Sequence, residues 1–79
     1  MELSDGRARW RQVHEIITGR IRSGQYPPGS RIPSLLQMQQ EWGIATATGQ
    51  KVMRQLRADG TIRTEPGMGS YVVDELPEA

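Results

Sequence analysis

The sequence predicts a small α+β domain, three helices followed by a two-stranded hairpin, and three observations carry that prediction. Apolar residues recur at steps of three and four through three segments between Arg9 and Asp59. Each of these segments is followed by a glycine, Gly24, Gly43 or Gly60, where a helix C-terminus needs a left-handed residue. After Gly60 the period changes to two, in short runs joined by Pro66-Gly67-Met68-Gly69.

The first helix is expected over about 9–23, with Trp10, Val13, Ile16, Ile17 and Ile21 forming one apolar stripe. Arg9, Arg11, Gln12, Glu15, Arg20 and Arg22 lie between them and read as solvent-facing. Residues 25–33 contain three prolines, which lack the amide donor and restrict the residue before them, so this stretch is an extended connector. Tyr26 and Ile32 are expected to tuck under the helices. Ser34 offers a hydroxyl as N-cap of a short second helix, with Leu35, Met38, Gln39 and Trp42 on one side. A tight turn, Gly43-Ile44-Ala45, leads into a third helix over 46–59.

At about 100° per residue the third helix divides cleanly. Val52, Met53 and Leu56 share a face with Gly49, while Thr46, Ala47, Gln50, Arg54 and Arg57 point the other way and Lys51 lies at the margin. Alanine in the cap position at 45 and glycine at 49 both weaken this helix; Thr46 is expected to cap it one residue later. The hairpin runs over 61–65 and 70–73, with Pro66-Gly67 suited to a type II turn. The organisation is therefore a flexible N-terminus (1–8), one domain (9–73) and a disordered acidic tail (74–79). Trp10, Val13, Ile17, Ile21, Trp42, Val52 and Leu56 are the expected core.

With 79 residues the chain holds one small domain, which must be economical because such domains bury only about 60% of their unfolded surface. There is no cysteine, so disulfides and thiolate metal sites are excluded. The single histidine, His14, cannot assemble a metal site either. No stretch approaches the roughly 20 apolar residues of a membrane span, and the N-terminus is polar and charged. Net charge is only +1, yet all ten basic residues fall between Arg7 and Arg63. Only Glu15, Glu41 and Asp59 oppose them there, a surplus of +7 in the body with the remaining acids at the ends. That distribution permits nucleic-acid binding without proving it, because a solvated surface with acidic ends reads the same way.

Two short helices joined by a tight turn form a helix-turn-helix, whose second helix enters the DNA major groove; a hairpin after it makes a wing. In that architecture Thr46, Ala47, Gln50 and Arg54 are candidates for base edges. Glutamine pairs with adenine, arginine with guanine, and the threonine methyl meets the thymine methyl. Arg31, Ser34, Thr48, Lys51, Arg57 and Arg63 are candidates for phosphates, adding affinity and salt dependence rather than specificity. The wing tip, Gly67-Met68-Gly69, is placed for the backbone or minor groove. Each has a plainer alternative: a solvated helix face, simple capping by Ser34, pairing of Arg57 with Asp59 or Glu41, and turn geometry for the glycines. Gly67-Met68-Gly69 is followed by a strand rather than a helix, so it is no phosphate loop. No nucleophile has a base beside it, and neither catalysis nor a cofactor is expected.

The chain resembles the DNA-binding domain of the gluconate-repressor (GntR) family of bacterial regulators. The resemblance rests on Ile17, Ile21 and Gly24, then Pro28-Gly29-Ser30-Arg31-Ile32-Pro33-Ser34, Gly43-Ile44, Leu56-Arg57-Ala58-Asp59-Gly60 and Pro66-Gly67-Met68-Gly69-Ser70-Tyr71-Val72. It implies a winged helix-turn-helix fold, a cytoplasmic bacterial protein that joins the nucleoid when bound, and double-stranded DNA as partner. It also implies operator binding by a homodimer, usually through a larger C-terminal domain that senses a metabolite. The chain stops just past the wing, so it is expected to be either a DNA-binding half or a stand-alone regulator. The initiating methionine tilts toward the latter, and no small-molecule effector is expected within this chain. Two departures stand out. Leu35 and Leu36 occupy positions where the family usually has an acid followed by arginine. Ala45-Thr46-Ala47-Thr48-Gly49-Gln50 replaces the family's Ser-Arg-x-Thr-Val-Arg, with Thr46 and Gln50 at the arginine positions. A transcription regulator, repressing more readily than activating, is the expected function; the alternative is a winged helix used as an adaptor for protein contact.

Overall fold

The computed structural model describes residues 8–77. Three helices, α1 (Arg9–Arg22), α2 (Leu35–Trp42) and α3 (Thr46–Asp59), precede strands β1 (Ile62–Glu65) and β2 (Gly69–Val72). The two strands pair antiparallel, Ile62 opposite Val72 and Glu65 opposite Gly69. The residues of 1–8 before Ala8, and 78–79 of the tail, lie outside the described residues.

Local chemistry sets the helix ends. Gly43 and Gly60 adopt left-handed conformations at the ends of α2 and α3, and Gly24 does so just beyond Ser23 at the end of α1. Ser34 closes a full capping box, its hydroxyl accepting from the Gln37 amide at 3.2 Å while Gln37 Oε1 accepts from Ser34 N at 2.8 Å. The expected cap on α3 is different: Ala45 takes that place with no side-chain bond, and Thr46 is the first helical residue. Its hydroxyl accepts instead from Gln39 Nε2 on α2 at 2.9 Å, tying the two helices together across the turn.

The core is built from Val13, Ile17 and Ile21 of α1, Met38 and Trp42 of α2, and Val52 and Leu56 of α3. Ile32, Ile44, Ile62 and Val72 complete it from the connector, the turn and the hairpin. Trp10 departs from the expectation. It sits in the first turn of α1 at the edge of the core and is only partly buried, because Lys51 lies over its ring at 4.6 Å rather than an apolar layer. Tyr26 is partly buried also, while Gln12, read from the sequence as solvent-facing, is buried.

The connector is extended because it pairs. Gly29 N donates to Val72 O, Val72 N to Ser30 O and Ile32 N to Ser70 O, all within 2.9–3.0 Å, so β2 is held between β1 and the connector. Thr61 links α3 to the wing. It is buried with its hydroxyl on Leu56 O at 3.2 Å, and its own carbonyl accepts from Val73 N at 3.1 Å. The tail expected to be disordered from Asp74 instead lies on the body as far as Pro77. Leu76 packs against the core and Pro77 comes near Gly60, since an apolar side chain beside an open edge gains by covering it.

Two ion pairs clamp the helices from outside. Arg20 of α1 donates to Glu41 of α2 at 3.0 Å and to the Tyr26 hydroxyl at 2.8 Å, its guanidinium lying over the Trp42 ring. The Glu41 and Tyr26 bonds outweigh burial and hold the Arg20 pKa above the ordinary arginine value. His14 Nε2 meets Asp59 Oδ2 at 2.5 Å, joining α1 to the end of α3, and Gln55 Nε2 donates to the other oxygen at 2.9 Å.

Candidate nucleic-acid interface

Helix α3 separates into two sides. Gly49, Val52 and Leu56 are buried, while Thr46, Ala47, Gln50, Lys51, Arg54, Arg57 and Ala58 are exposed. At about 100° per residue the exposed set spans an arc of roughly 140°. No acid lies on this arc. Asp59, the helix's single carboxylate, is turned to His14 and Gln55. Burial pushes its pKa up, but the bonds from Gln55 and His14 and the charges of His14 and Arg22 outweigh that and hold it below the ordinary value.

The wing flanks this arc across a groove lined by Arg31, Ser34, Leu35, Met53, Thr64 and Ser70, with Met68 at its outer end. Met68 is 63% exposed at the tip. The tip has the geometry its sequence implies: Gly67 has φ 76° and Met68 N donates to Glu65 O at 3.0 Å, closing the turn. Gly69 has a second reason to be glycine. Beyond its φ of 130°, a Cβ there would come within 2.7 Å of Arg31 Nε, so the missing side chain is what admits the Arg31 guanidinium beside the wing.

The expected base-edge residues Thr46, Ala47, Gln50 and Arg54 therefore share one exposed face, and Arg57 continues it toward the wing. Arg57 pairs with neither Asp59 nor Glu41, which are engaged by His14 with Gln55 and by Arg20; it reaches Thr64 Oγ1 at 3.4 Å. Arg31 and Ser34 line the groove, Arg31 beside the wing at Gly69. Two expected phosphate residues stand apart from this set. Thr48 is half-buried on the α1 flank, beside Arg9, Trp10 and Lys51. Arg63 lies on the other face of the wing from Thr64, bonded to Glu65 at 3.1 Å and to Val72 O at 3.2 Å. The groove side of the hairpin carries Thr64 and Ser70 instead, their hydroxyls 3.2 Å apart. Strand alternation held that signal: Ile62 faces the core, so Thr64 and not Arg63 shares its side. Gln39, whose amide holds Thr46, had no comparable signature. Among the described residues no group of three or more His, Cys, Asp or Glu gathers as a metal site, and no helix is long and apolar enough to cross a membrane.

The sequence pattern of the bacterial regulatory proteins of the gntR family matches residues 10–72. The chain belongs to the GntR family. It is 30% identical over 63 residues to the histidine utilization repressor of Pseudomonas aeruginosa, a match covering 80% of this chain and 25% of that protein. Over 66 residues it is 30% identical to the mannosyl-D-glycerate transport/metabolism system repressor MngR of Escherichia coli, covering 84% of this chain and 28% of that one. The chain thus spans about a quarter of the length of the curated relatives it matches. Among solved structures, the AraR DNA-binding domain in complex with operator ORX1 superposes with a TM-score of 0.80 at 28% identity, covering 90% of this chain and 87% of that one. A GntR family transcriptional regulator from Listeria monocytogenes shares the fold at a TM-score of 0.87 and 22% identity, over 92% of this chain and 64% of that one. The fold is the family's winged helix-turn-helix.

Leu35 and Gly49, which belong to the two stretches where the sequence departs from the expected pattern, meet in the fold. A Cβ on Gly49 would lie 2.2 Å from Leu35 Cδ1, with Ile44 Cδ1 at 3.6 Å. Leu35 fills the space that a side chain at position 49 would occupy. The leucine and the glycine are complementary in shape.

Proposed function

We propose that this chain is the DNA-binding domain of a transcription regulator, acting as a sequence-specific repressor, with α3 in the major groove and the wing on the backbone or minor groove. The acid-free exposed arc of α3, flanked by the groove and the wing tip, is the observation that carries this reading. A helix face bearing amide, hydroxyl and guanidinium groups matches what base edges and phosphates accept. The repressors named among its relatives and the operator-bound AraR domain support it.

Thr46, Ala47, Gln50 and Arg54 are proposed to meet base edges. Arg57, Lys51, Arg31 and Ser34 are proposed for phosphates, with Thr48 and Arg63 more peripheral because of where their side chains sit. A repressor needs no further surface, since occupancy of a promoter excludes polymerase. Single domains of this size bury about 600–1,000 Å² on DNA, so two copies on a palindrome are the proposed binding unit. The chain acts by binding, not catalysis, in the bacterial cytoplasm.

The test is titration of the purified chain against labelled duplexes selected from fragmented genomic DNA, at several salt concentrations. The reading predicts a selected sequence bound far more tightly than random duplex, with affinity falling steeply as salt rises. Arg54→Ala is expected to narrow the gap between selected and random DNA rather than weaken both alike. Equal affinity for every sequence, or none at physiological salt, would overturn it in favour of a protein-contact module.

A further inference from the structure

Resting on the DNA-binding reading above, we infer that the operator is read at the start of α3 through thymine methyls and an adenine edge, not through guanine. Recognition helices of this type contact base edges with their N-terminal residues. Here those residues, Thr46, Ala47 and Gln50, carry no charge, and all three are exposed. Lys51 is at the margin of the arc with its ammonium 4.6 Å over the Trp10 ring. Arg54 and Arg57 lie one to two turns further along.

What the patch offers is mostly apolar. Thr46 Oγ1 accepts from Gln39 Nε2 of α2 at 2.9 Å, which spends one of its acceptor sites and leaves the methyl and the hydroxyl hydrogen for DNA. Ala47 adds a second methyl. Leu36 is 63% exposed, and it lies one helical turn before Gln39 on the same side of α2. It has no core to cover, and it shares the side of α2 from which Gln39 reaches Thr46. A single exposed leucine is unremarkable by itself; three apolar groups side by side at the start of the reading helix form a surface of defined chemistry.

Thymine is the base that answers such a surface, because its C5 methyl projects into the major groove. Gln50 supplies the directional element. Its amide matches the paired acceptor and donor of adenine N7 and N6, whereas guanine presents two acceptors there, which a guanidinium satisfies and one amide does not. One A·T pair offers both features, the methyl on one strand and the adenine edge on the other. The half-site core facing Leu36, Thr46, Ala47 and Gln50 is accordingly a run of A·T pairs, with guanine confined to positions reached by Arg54.

The experiment is enrichment of duplexes from a random pool by the 79-residue chain, followed by titration of the best duplex and of copies carrying deoxyuridine in place of single thymines. That replacement removes only the methyl. The expected result is an A·T core in which at least two such replacements each weaken binding about fourfold, the worth of one buried methyl. Leu36→Ala, at an exposed position that leaves folding intact by circular dichroism, should bind the thymine and uracil duplexes equally at one of those positions. Gln50→Ala should lose preference for adenine at another. A guanine-centred core, or thymine replacements that are neutral everywhere, overturns the inference while leaving the DNA-binding reading standing. No enrichment over random duplex overturns both.

Discussion

Replacing Gly49 with alanine tests whether Leu35 and Gly49 form one packing unit. Two effects oppose each other. Alanine inside a helix is favoured over glycine by about 1 kcal/mol. Against this, the new methyl would stand 2.2 Å from Leu35 Cδ1, far inside contact distance. Forcing an extra methyl into a packed site costs about 1–3 kcal/mol. The lower end applies if Leu35, which is half-buried, swings its free end outward and forfeits its burial. Gly49→Ala alone should therefore range from neutral to about 2 kcal/mol destabilising. Leu35→Ala alone should cost about 1 kcal/mol, less than full burial of a leucine is worth. In the Leu35→Ala background the obstacle is gone, and Gly49→Ala should stabilise by about 1 kcal/mol. The two changes are thus expected to couple by about 1–3 kcal/mol, Gly49→Ala being neutral to destabilising with Leu35 present and stabilising without it. Urea denaturation of the four proteins measures this directly. Thermal melts supply a check, since each kcal/mol shifts Tm by about 4–8 °C in a domain of this size. Additivity within about 0.5 kcal/mol would refute the complementarity of the pair.

Other consequences can be checked on the same domain. Ser34→Ala removes the hydroxyl half of the capping box and should cost about 1 kcal/mol, read from the urea midpoint; no loss would mean the Gln37 half suffices. Gly69→Ala should lower Tm more than Gly67→Ala. Both positions have positive φ, but only at Gly69 does the added carbon meet the Arg31 side chain, while Gly67 has open space around it. Equal losses would show that backbone conformation alone decides. For the His14–Asp59 pair the sign follows from the lowered Asp59 pKa. The contribution is fully present above the ordinary carboxylate value of 3.8 and disappears as pH falls below it through the folded value. Asp59→Asn should therefore cost about 1 kcal/mol at about pH 5.5 and nothing in strong acid, because the pair is partly exposed and screened. A difference that persists unchanged at about pH 2 would contradict the role of the carboxylate charge.

Much of the architecture was legible because the signals are local. Helix α3 was expected over 46–59 and forms as Thr46–Asp59, since a core face, an exposed face and a terminal glycine are all written within one segment. The turn at Pro66-Gly67 was readable for the same reason: its backbone conformation is a property of two neighbouring residues. The partition of α3 into a buried and an exposed side likewise follows from helical geometry once Val52 and Leu56 are assigned to the core. Beyond the reach of such rules lay every feature that depends on which distant segments meet. Trp10 has the composition of a core residue, but its place at the edge of α1 puts Lys51 rather than an apolar layer over it. Strand alternation from Ile62 places Thr64 and Arg63 on opposite faces of the hairpin, but only the packing of the hairpin brings Thr64 to Arg57 and ties Arg63 to Glu65 outside. The connector's prolines and glycine showed that it is extended, not that its amides and carbonyls complete β2. Gly49 looked like a weakness in α3 and Leu35 like an ordinary member of the α2 stripe, and their mutual fit exists only where α2 meets α3. By itself the sequence determined which segments are helical, where they stop and which face of each is apolar, because these depend on backbone sterics and periodicity within a few residues. The tertiary structure alone decided which polar groups share a surface and which glycines make room for a neighbour, because long-range packing places residues that no spacing rule connects.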